Sequence, residues 1–212
     1  MTTRNDKARA AGGWRRVADT LQEDIIFGRA FPRERLVEDN LMARFGCSRH
    51  ATRSAIDDLV RLGLAVREAN RGAAVRSFSP QEIGELFEVQ QALQAHAIQR
   101  MPLPASADVL ARLHAIQERH EAAGASMKPL EIRRWNQDFH DALFRACGNT
   151  QLADAIRTYG ILTDPIRMRR IPDPAWRKQA VEDHREMIRL LATTDRERLA
   201  QVCARHLAGP ST

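Results

Sequence analysis

The sequence predicts a mainly α-helical protein in two parts. A winged helix-turn-helix of three helices and a short β-hairpin is followed by a six-helix antiparallel bundle. Three observations carry this expectation. Apolar residues recur at helical spacing along most of the chain. The exception is a pair of strand-like runs, Leu64 to Arg67 and Ala73 to Arg76, around the turn Ala69-Asn70-Arg71-Gly72, where Asn and Gly tolerate positive φ. The charge is also uneven: of a net +6, residues 1–79 hold +5 and the remainder only +1. A basic segment joined to a near-neutral one suggests a polyanion-binding domain carried by a domain of another kind.

Length and composition fit this reading. A chain of 212 residues with 43% hydrophobic and 28% charged residues is ordinary for a soluble globular protein. No apolar run approaches the roughly 20 residues of a membrane span, so no membrane partner is expected. The opening MTTRNDKARAAGG has no apolar core and is not a secretory signal; residues 1–13 are expected to be a disordered basic lead-in. Cys47, Cys147 and Cys203 lack CxxC spacing and read as free thiols of a reducing cytoplasm.

The first domain is expected over 14–78. Trp14 to Phe27 is amphipathic, with Val17, Leu21 and Ile25 on one face; Gly28 ends it, and Phe31-Pro32 turns the chain. A second helix runs from about Glu38 to Phe45 and closes at Gly46. Ser48 caps a third, which runs to about Leu62 and stops at Gly63. Thr52, Ala55, Ile56, Leu59 and Val60 form its inner stripe, and Arg49, His50, Arg53 and Asp57 its outer one. A recognition helix touches DNA through its N-terminal residues. Arg49 and Arg53, one turn apart, can pair with guanine or clamp phosphate, with His50 beside them. Ser48 can reach a phosphate from the helix N-terminus. Arg71 and Gly72 at the hairpin tip suit a minor-groove or backbone contact. Any single Arg here also fits an ordinary solvated helix; the order of helix, turn, Ser-Arg-capped helix and hairpin is far more specific.

The second domain is expected over 79–208, opened by the capping box Ser79-Pro80-Gln81-Glu82. Its helices are placed at Ile83 to Ala97, Ser106 to Ala123, Leu130 to Ala146, Asn149 to Leu162, Pro174 to Ala192, and from a second capping box at Thr194 to Leu207. Asp164-Pro165 is expected to kink or stop the fourth.

Several stripes of this bundle carry polar residues that face inward. Asn136 and His140 lie among Ile132, Trp135, Phe139, Leu143 and Cys147; His184 lies among Ala180, Met187, Ile188 and Leu191; His206 lies beside Leu199, Val202 and Cys203. Each His can be satisfied separately in a core. Three on three helices, with an amide one turn from one of them, favour a shared site. Imidazole suits a divalent Zn- or Ni-like ion, completed by an oxygen donor. Gln90 and Gln94 follow the inward spacing of Phe87 and Leu93. His96, His114 and His120 show no such constellation and are expected at the surface.

Residues 36–75 resemble the winged helix-turn-helix of GntR-type bacterial transcription regulators. The matching residues are Leu36, Glu38, Leu41, Phe45-Gly46, Ser48-Arg49, Arg53, Leu59, Gly63-Leu64, Asn70-Arg71-Gly72-Ala73 and Val75. The chain departs from the family pattern at Pro32-Arg33, Ala51-Thr52 and Ser54. The helical half is similar to the FCD effector domain of the FadR branch, and its six helices favour the VanR-like subgroup. The resemblance implies metal ligation by His140, His184 and His206, with Asn136 in the place of the usual Asp. An amide there should hold a divalent cation more weakly than a carboxylate. The resemblance also places Gln90 and Gln94 where Arg and Glu often stand in the effector site, so either the effector is less acidic or a basic residue such as Arg133 or Arg157 anchors it.

The implied function is a ligand-responsive transcription regulator of cytoplasmic location, commonly a repressor released by a carboxylate metabolite. One recognition helix reads too few base pairs for useful specificity, so a homodimer on an inverted-repeat, double-stranded operator is expected. Two alternatives compete. A metal-dependent hydrolase would need an open coordination position and a general base; there is no HExxH, and no Glu or Asp is expected on the stripes beside the three histidines. A pure metal sensor would use the ion as its signal, and Asn136 in place of Asp argues against tight sensing.

Overall fold

The computed structural model describes residues 3–69 and 71–208, with side chains described from Gly13 onward. The chain forms two compact units, Met1–Ser79 and Pro80–Thr212.

In the first unit, α1 spans Thr3–Ile26, α2 Glu38–Phe45 and α3 Arg49–Arg61; β1 (Ala65–Glu68) pairs antiparallel with β2 (Gly72–Val75). Helix α1 corrects the expected lead-in: from Thr3 onward the residues placed in a disordered 1–13 segment continue the helix. Lys7-Ala8-Arg9-Ala10-Ala11 is a run of strong helix formers that an apolar-periodicity argument overlooks. Val17, Leu21 and Ile25 of α1 are buried, and the helix packs on α3. Gly46 ends α2 in the left-handed conformation at φ +59, which a side chain would strain. Ser48 then caps α3, its Oγ accepting from Ala51 N–H at 3.2 Å. The hairpin gains a third edge from the segment before α2: Leu36 N–H donates to Ala73 O, and Val75 N–H donates to Glu34 O. Asn70, expected in the turn, lies outside the described residues.

In the second unit, α4 spans Pro80–Arg100, α5 Ala107–Ala125, α6 Pro129–Arg145, α7 Thr150–Arg167, α8 Pro174–Leu191 and α9 Arg196–His206. Three expected boundaries shift. Pro165 neither stops nor ends α7; it sits inside a helix that continues to Arg167 and into a 3-10 turn at Met168–Arg170. Helix α4 starts at Pro80 and reaches Arg100. The cap of α9 is Asp195, whose carboxylate accepts from Arg198 N–H at 2.9 Å, not Thr194. Helix α5 packs on α6 and α8, α4 on α7 and α9, and α8 on α9. The shared core includes Leu113, Phe139, Leu143, Met187, Leu191, Leu199 and Val202. Among the described residues no helix is long and apolar enough to cross a membrane.

Candidate nucleic-acid interface and effector site

The outer face of α3 is built as its spacing dictates. Thr52, Ala55, Ile56 and Leu59 are buried, whereas Arg49, His50 and Arg53 are exposed. The two arginines are not loose. Arg53 Nε donates to both oxygens of Glu38, at 2.9 and 3.0 Å, and Arg49 Nη2 donates to Asp39 Oδ1 at 2.8 Å. At the hairpin, Arg67 pairs with Asp57, and Arg35 Nη2 donates to the main-chain oxygen of Arg71 at 2.8 Å. Between α3 and the hairpin lies a concavity of about 230 Å³ lined by Arg35, Glu38, Arg53, Arg67, Arg71 and Gly72. Ser48 and Gly72 are exposed beside these residues. Arg35 and Arg67 are not among the residues the sequence points to. Their role depends on how the chain before α2 joins the hairpin, which spacing does not show.

In the second unit, α6, α8 and α9 bring His140, His184 and His206 together, one ring nitrogen of each lying within 4.8 Å of the others. His184 Nε2 is 3.1 Å from His206 Nε2, which is 3.2 Å from His140 Nε2. The opposite nitrogens of His184 and His206 are held elsewhere, whereas His140 Nδ1 is buried without a hydrogen-bond partner. His184 Nδ1 lies 2.8 Å from Gln117 Oε1, and His206 Nδ1 lies 3.3 Å from Asp183 Oδ2. Both oxygens accept, so both Nδ1 atoms carry the proton, and two Nε2 lone pairs face each other. A hydrogen-bond donor or a cation between them would satisfy both. Two imidazole nitrogens bound to one ion at about 2.0–2.1 Å would stand about 3–3.4 Å apart, and the observed separations fall in that range. The oxygens of Gln117 and Asp183 hold the far ring nitrogens of His184 and His206 as they are held in metal-binding histidines.

Two expectations are corrected here. His120 is not at the surface. It is 4% exposed and its ring centroid is 5.1 Å from that of His184. The stripe Leu113, Gln117, His120 and Ala123 on α5 has the spacing that would have shown it. Asp183 is likewise buried beside the histidines. Its position three after Ala180 and four before Met187 places it on the buried face of α8. Burial raises the Asp183 carboxyl, but hydrogen bonds from His206, Arg205 and Gln179 outweigh this and lower it to about 2.

Burial, reinforced by neighbouring cationic groups, lowers His140 and His184 well below 6.5. Burial also lowers His206 against the pull of Asp183, and lowers His120 to about 4. The four imidazoles are therefore neutral at pH 7, the form that binds metal. A His whose folded value lies below its unfolded value of about 6.5 takes up protons preferentially in the unfolded chain. Its contribution is full above about pH 6.5 and is lost as pH falls toward 4. Chelator-treated protein should accordingly lose melting temperature steadily from pH 6.5 to 4.5, measured by circular dichroism; an unchanged melting temperature would show that the imidazoles are not buried as neutral groups. Burial also raises buried Asp164, which opposes this trend, but it is one group against four.

A cavity of about 40 Å³ adjoins the cluster, lined by Gln90, Gln94, Asn136, Gln137, His140, Asp141, Phe144, Ala153, Ile156, Arg157, Gly160, Asp164, Arg167 and Leu207. Gln90, Gln94, Asn136 and Arg157 thus line one space. Gln90 Oε1 accepts from Thr163 Oγ1 at 3.2 Å. Arg133 is not on that wall. It donates through Nε to Asp164 Oδ2 at 3.0 Å, and Gln137 donates to the same oxygen at 2.7 Å. Arg133 therefore neutralises Asp164 from behind. Arg167, which the sequence did not single out, is 7% exposed, lines the cavity, and has an Nη2 with no hydrogen-bond partner. A buried guanidinium nitrogen left unpaired is costly. Asp164 also attracts Arg167 electrostatically, but the Nη2 nitrogen itself stays without a hydrogen-bond partner.

A winged helix-turn-helix joined to a helical bundle is the architecture of a DNA-binding transcription regulator. Comparison with known proteins agrees. Residues 14–75 match the gntR family of bacterial regulatory proteins, and residues 85–209 match the FCD domain. The chain is 28% identical to the HTH-type transcriptional repressor GlaR of Escherichia coli (strain K12), with 90% of each chain covered. It is 25% identical to the Nta operon transcriptional regulator of Aminobacter aminovorans, covering 83% of this chain and 82% of that one. Its fold is similar to that of E. coli McbR/YncC, with a TM-score of 0.76, 18% identity, and 92% and 93% of the two chains covered. This protein belongs to the GntR family of bacterial transcription regulators, among those carrying an FCD domain. It is a regulator and not an enzyme, which sets aside the hydrolase reading.

Proposed function

We propose that this regulator is a cytoplasmic repressor that binds an inverted-repeat operator as a homodimer and is released by a small carboxylate bound in the FCD cavity. The observation that carries the ligand class is Arg167: a buried cation with an unpaired nitrogen on the cavity wall is best completed by an anion. Arg157 supplies a second positive group, Gln90, Gln94 and Asn136 supply neutral hydrogen-bonding groups, and Phe144, Ile156 and Leu207 supply an apolar wall. His140, His184 and His206 would hold a divalent ion, with Asn136 as a neutral oxygen donor. When bound, such an ion would supply a positive charge toward the effector's oxygens. The relative named as a transcriptional repressor supports the sign of regulation.

The cavity holds only a few water molecules at about 40 Å³, whereas small-molecule sites usually run to about 300 Å³ or more. Effector binding would therefore part the walls. The Gln90 and Gln94 wall belongs to α4, which begins at Pro80, the first residue after the DNA-reading unit. A coupling of a few kcal/mol between effector and DNA binding would be enough to change operator occupancy.

Two measurements test this reading. Affinity for operator DNA should fall about a thousandfold between 50 and 200 mM salt if about six phosphates are neutralised per dimer; a response flat in salt would count against the assigned interface. Arg167→Met should abolish the rise in melting temperature that a screened carboxylate gives the wild type. An undiminished rise would place the effector elsewhere.

A further inference from the structure

We propose that Glu38 is a specificity-determining residue of DNA recognition: it aims Arg53 at base edges and penalises its use as a phosphate clamp. The proposal rests on the reading of α3 as the recognition helix. Glu38 and Asp39 form the first turn of α2, and each holds one arginine of the neighbouring α3. The two contacts differ in kind. Glu38 occupies the Nε of Arg53 with both of its oxygens, at 2.9 and 3.0 Å. Asp39 reaches a terminal nitrogen of Arg49, at 2.8 Å.

A guanidinium offers five N–H groups in a planar fork. With Nε engaged, Arg53 keeps its two terminal nitrogens together at the far edge. That is the pair needed for a bidentate contact to O6 and N7 of guanine. Fixing the side chain from Nε also removes rotamer freedom before DNA arrives, which lowers the ordering cost of the specific contact. Arg49, held through Nη2, has part of that edge already taken. The structure therefore distinguishes two arginines that the sequence leaves equivalent.

The carboxylate also acts on the wrong contact. A phosphate brought to Arg53 would come close to a fixed negative charge, whereas a guanine edge is a neutral acceptor. Repulsion of this kind lowers non-specific affinity without lowering specific affinity in proportion. Glu38 is well placed for it. Its side chain is 30% exposed, against 74% for Asp39, so its field is less screened by solvent and salt. It also lines the concavity between α3 and the hairpin alongside Arg35, Arg53, Arg67 and Arg71, as the one acidic residue on that wall among the described residues.

The test uses the full-length protein and two duplexes of equal length. One is the tightest binder that the wild type selects from a random-sequence library; the other is a scrambled duplex of the same composition. Affinities are measured by fluorescence anisotropy across a salt series. Glu38→Gln keeps the shape and much of the hydrogen bonding but removes the charge. It should bind the scrambled duplex about threefold more tightly, with a steeper salt dependence. Its ratio of selected to scrambled affinity should fall about five- to tenfold, and reselection should return a broader preference at one base position in each half-site. If Glu38→Gln keeps the wild-type ratio while Arg53→Ala loses binding to the selected duplex, the specificity role is wrong and the recognition helix stands. If both duplexes weaken equally together with a lower melting temperature, Glu38 only ties α2 to α3 and the proposal fails. If Arg53→Ala binds the selected duplex normally, the recognition-helix assignment fails, and the proposal fails with it.

Discussion

Arg53→Ala should weaken binding to the operator by about 1–3 kcal/mol, or about 5- to 150-fold, while leaving the fold intact. The effect is large because the side chain projects from the exposed face of α3 with its far edge free to read a base. It is confined to binding because little in the fold depends on that side chain. The ion pair to Glu38 is largely solvent-exposed on the Arg53 side, at 58%, and such pairs contribute about 0–1 kcal/mol. Alanine is the most favourable residue for a helix interior. In the proposed homodimer two copies are lost together, so the effect per dimer can approach twice the single-site value. Titration of operator DNA with the variant, alongside its thermal melt, checks both halves of the expectation. Normal affinity would remove α3 from the interface, and a lowered melting temperature would show that the loss reflects folding.

His184→Ala should produce the largest change in the second unit, destabilising it by about 3–5 kcal/mol and removing its response to divalent metal. The ring is fully buried and stacked on Phe139, with centroids 3.8 Å apart and planes 10° from parallel. Truncation leaves a cavity against that ring. It also orphans the Gln117 carboxamide oxygen that His184 Nδ1 now satisfies, at a further cost of about 1–3 kcal/mol if no water replaces it. These losses should appear even in chelator. The metal effect is separate: excess Zn or Ni should raise the melting temperature of the wild type, because it binds only the folded arrangement of three imidazoles, and should leave the variant unchanged. A wild type indifferent to both ions would sink the metal reading of His140, His184 and His206.

The corrections share a cause. His120 and Asp183 are polar residues at core spacing, which a pattern of apolar residues alone passes over. Helix α5 packs on both α6 and α8, and the stripe buried there runs through Leu113, Gln117, His120 and Ala123. Asp183 lies on the buried face of α8 with Ala180 and Met187, where Arg205 and His206 of α9 pair with it. Arg133 and Arg167 are the sharper case. Both are basic residues on helices near the cavity, and spacing favours neither. Asp164 decides between them, because it draws Arg133 to the rear of the wall and leaves the Arg167 nitrogen unpaired.

What the sequence determined by itself was local. Gly46, Ser48 and Gly63 mark helix ends through φ preference and capping, which involve only neighbouring residues. The inner and outer stripes of α3 follow from the helical period alone, and so does the inward facing of the histidines on α6, α8 and α9. The tertiary structure decided which partners those residues meet. Glu38 stands fifteen residues from Arg53, Gln117 sixty-seven from His184, and Gln90 seventy-three from Thr163. Periodicity specifies the face from which a side chain leaves its helix. The packing of one helix on another fixes whether an arginine there is neutralised, aimed at a base, or left to bind an anion.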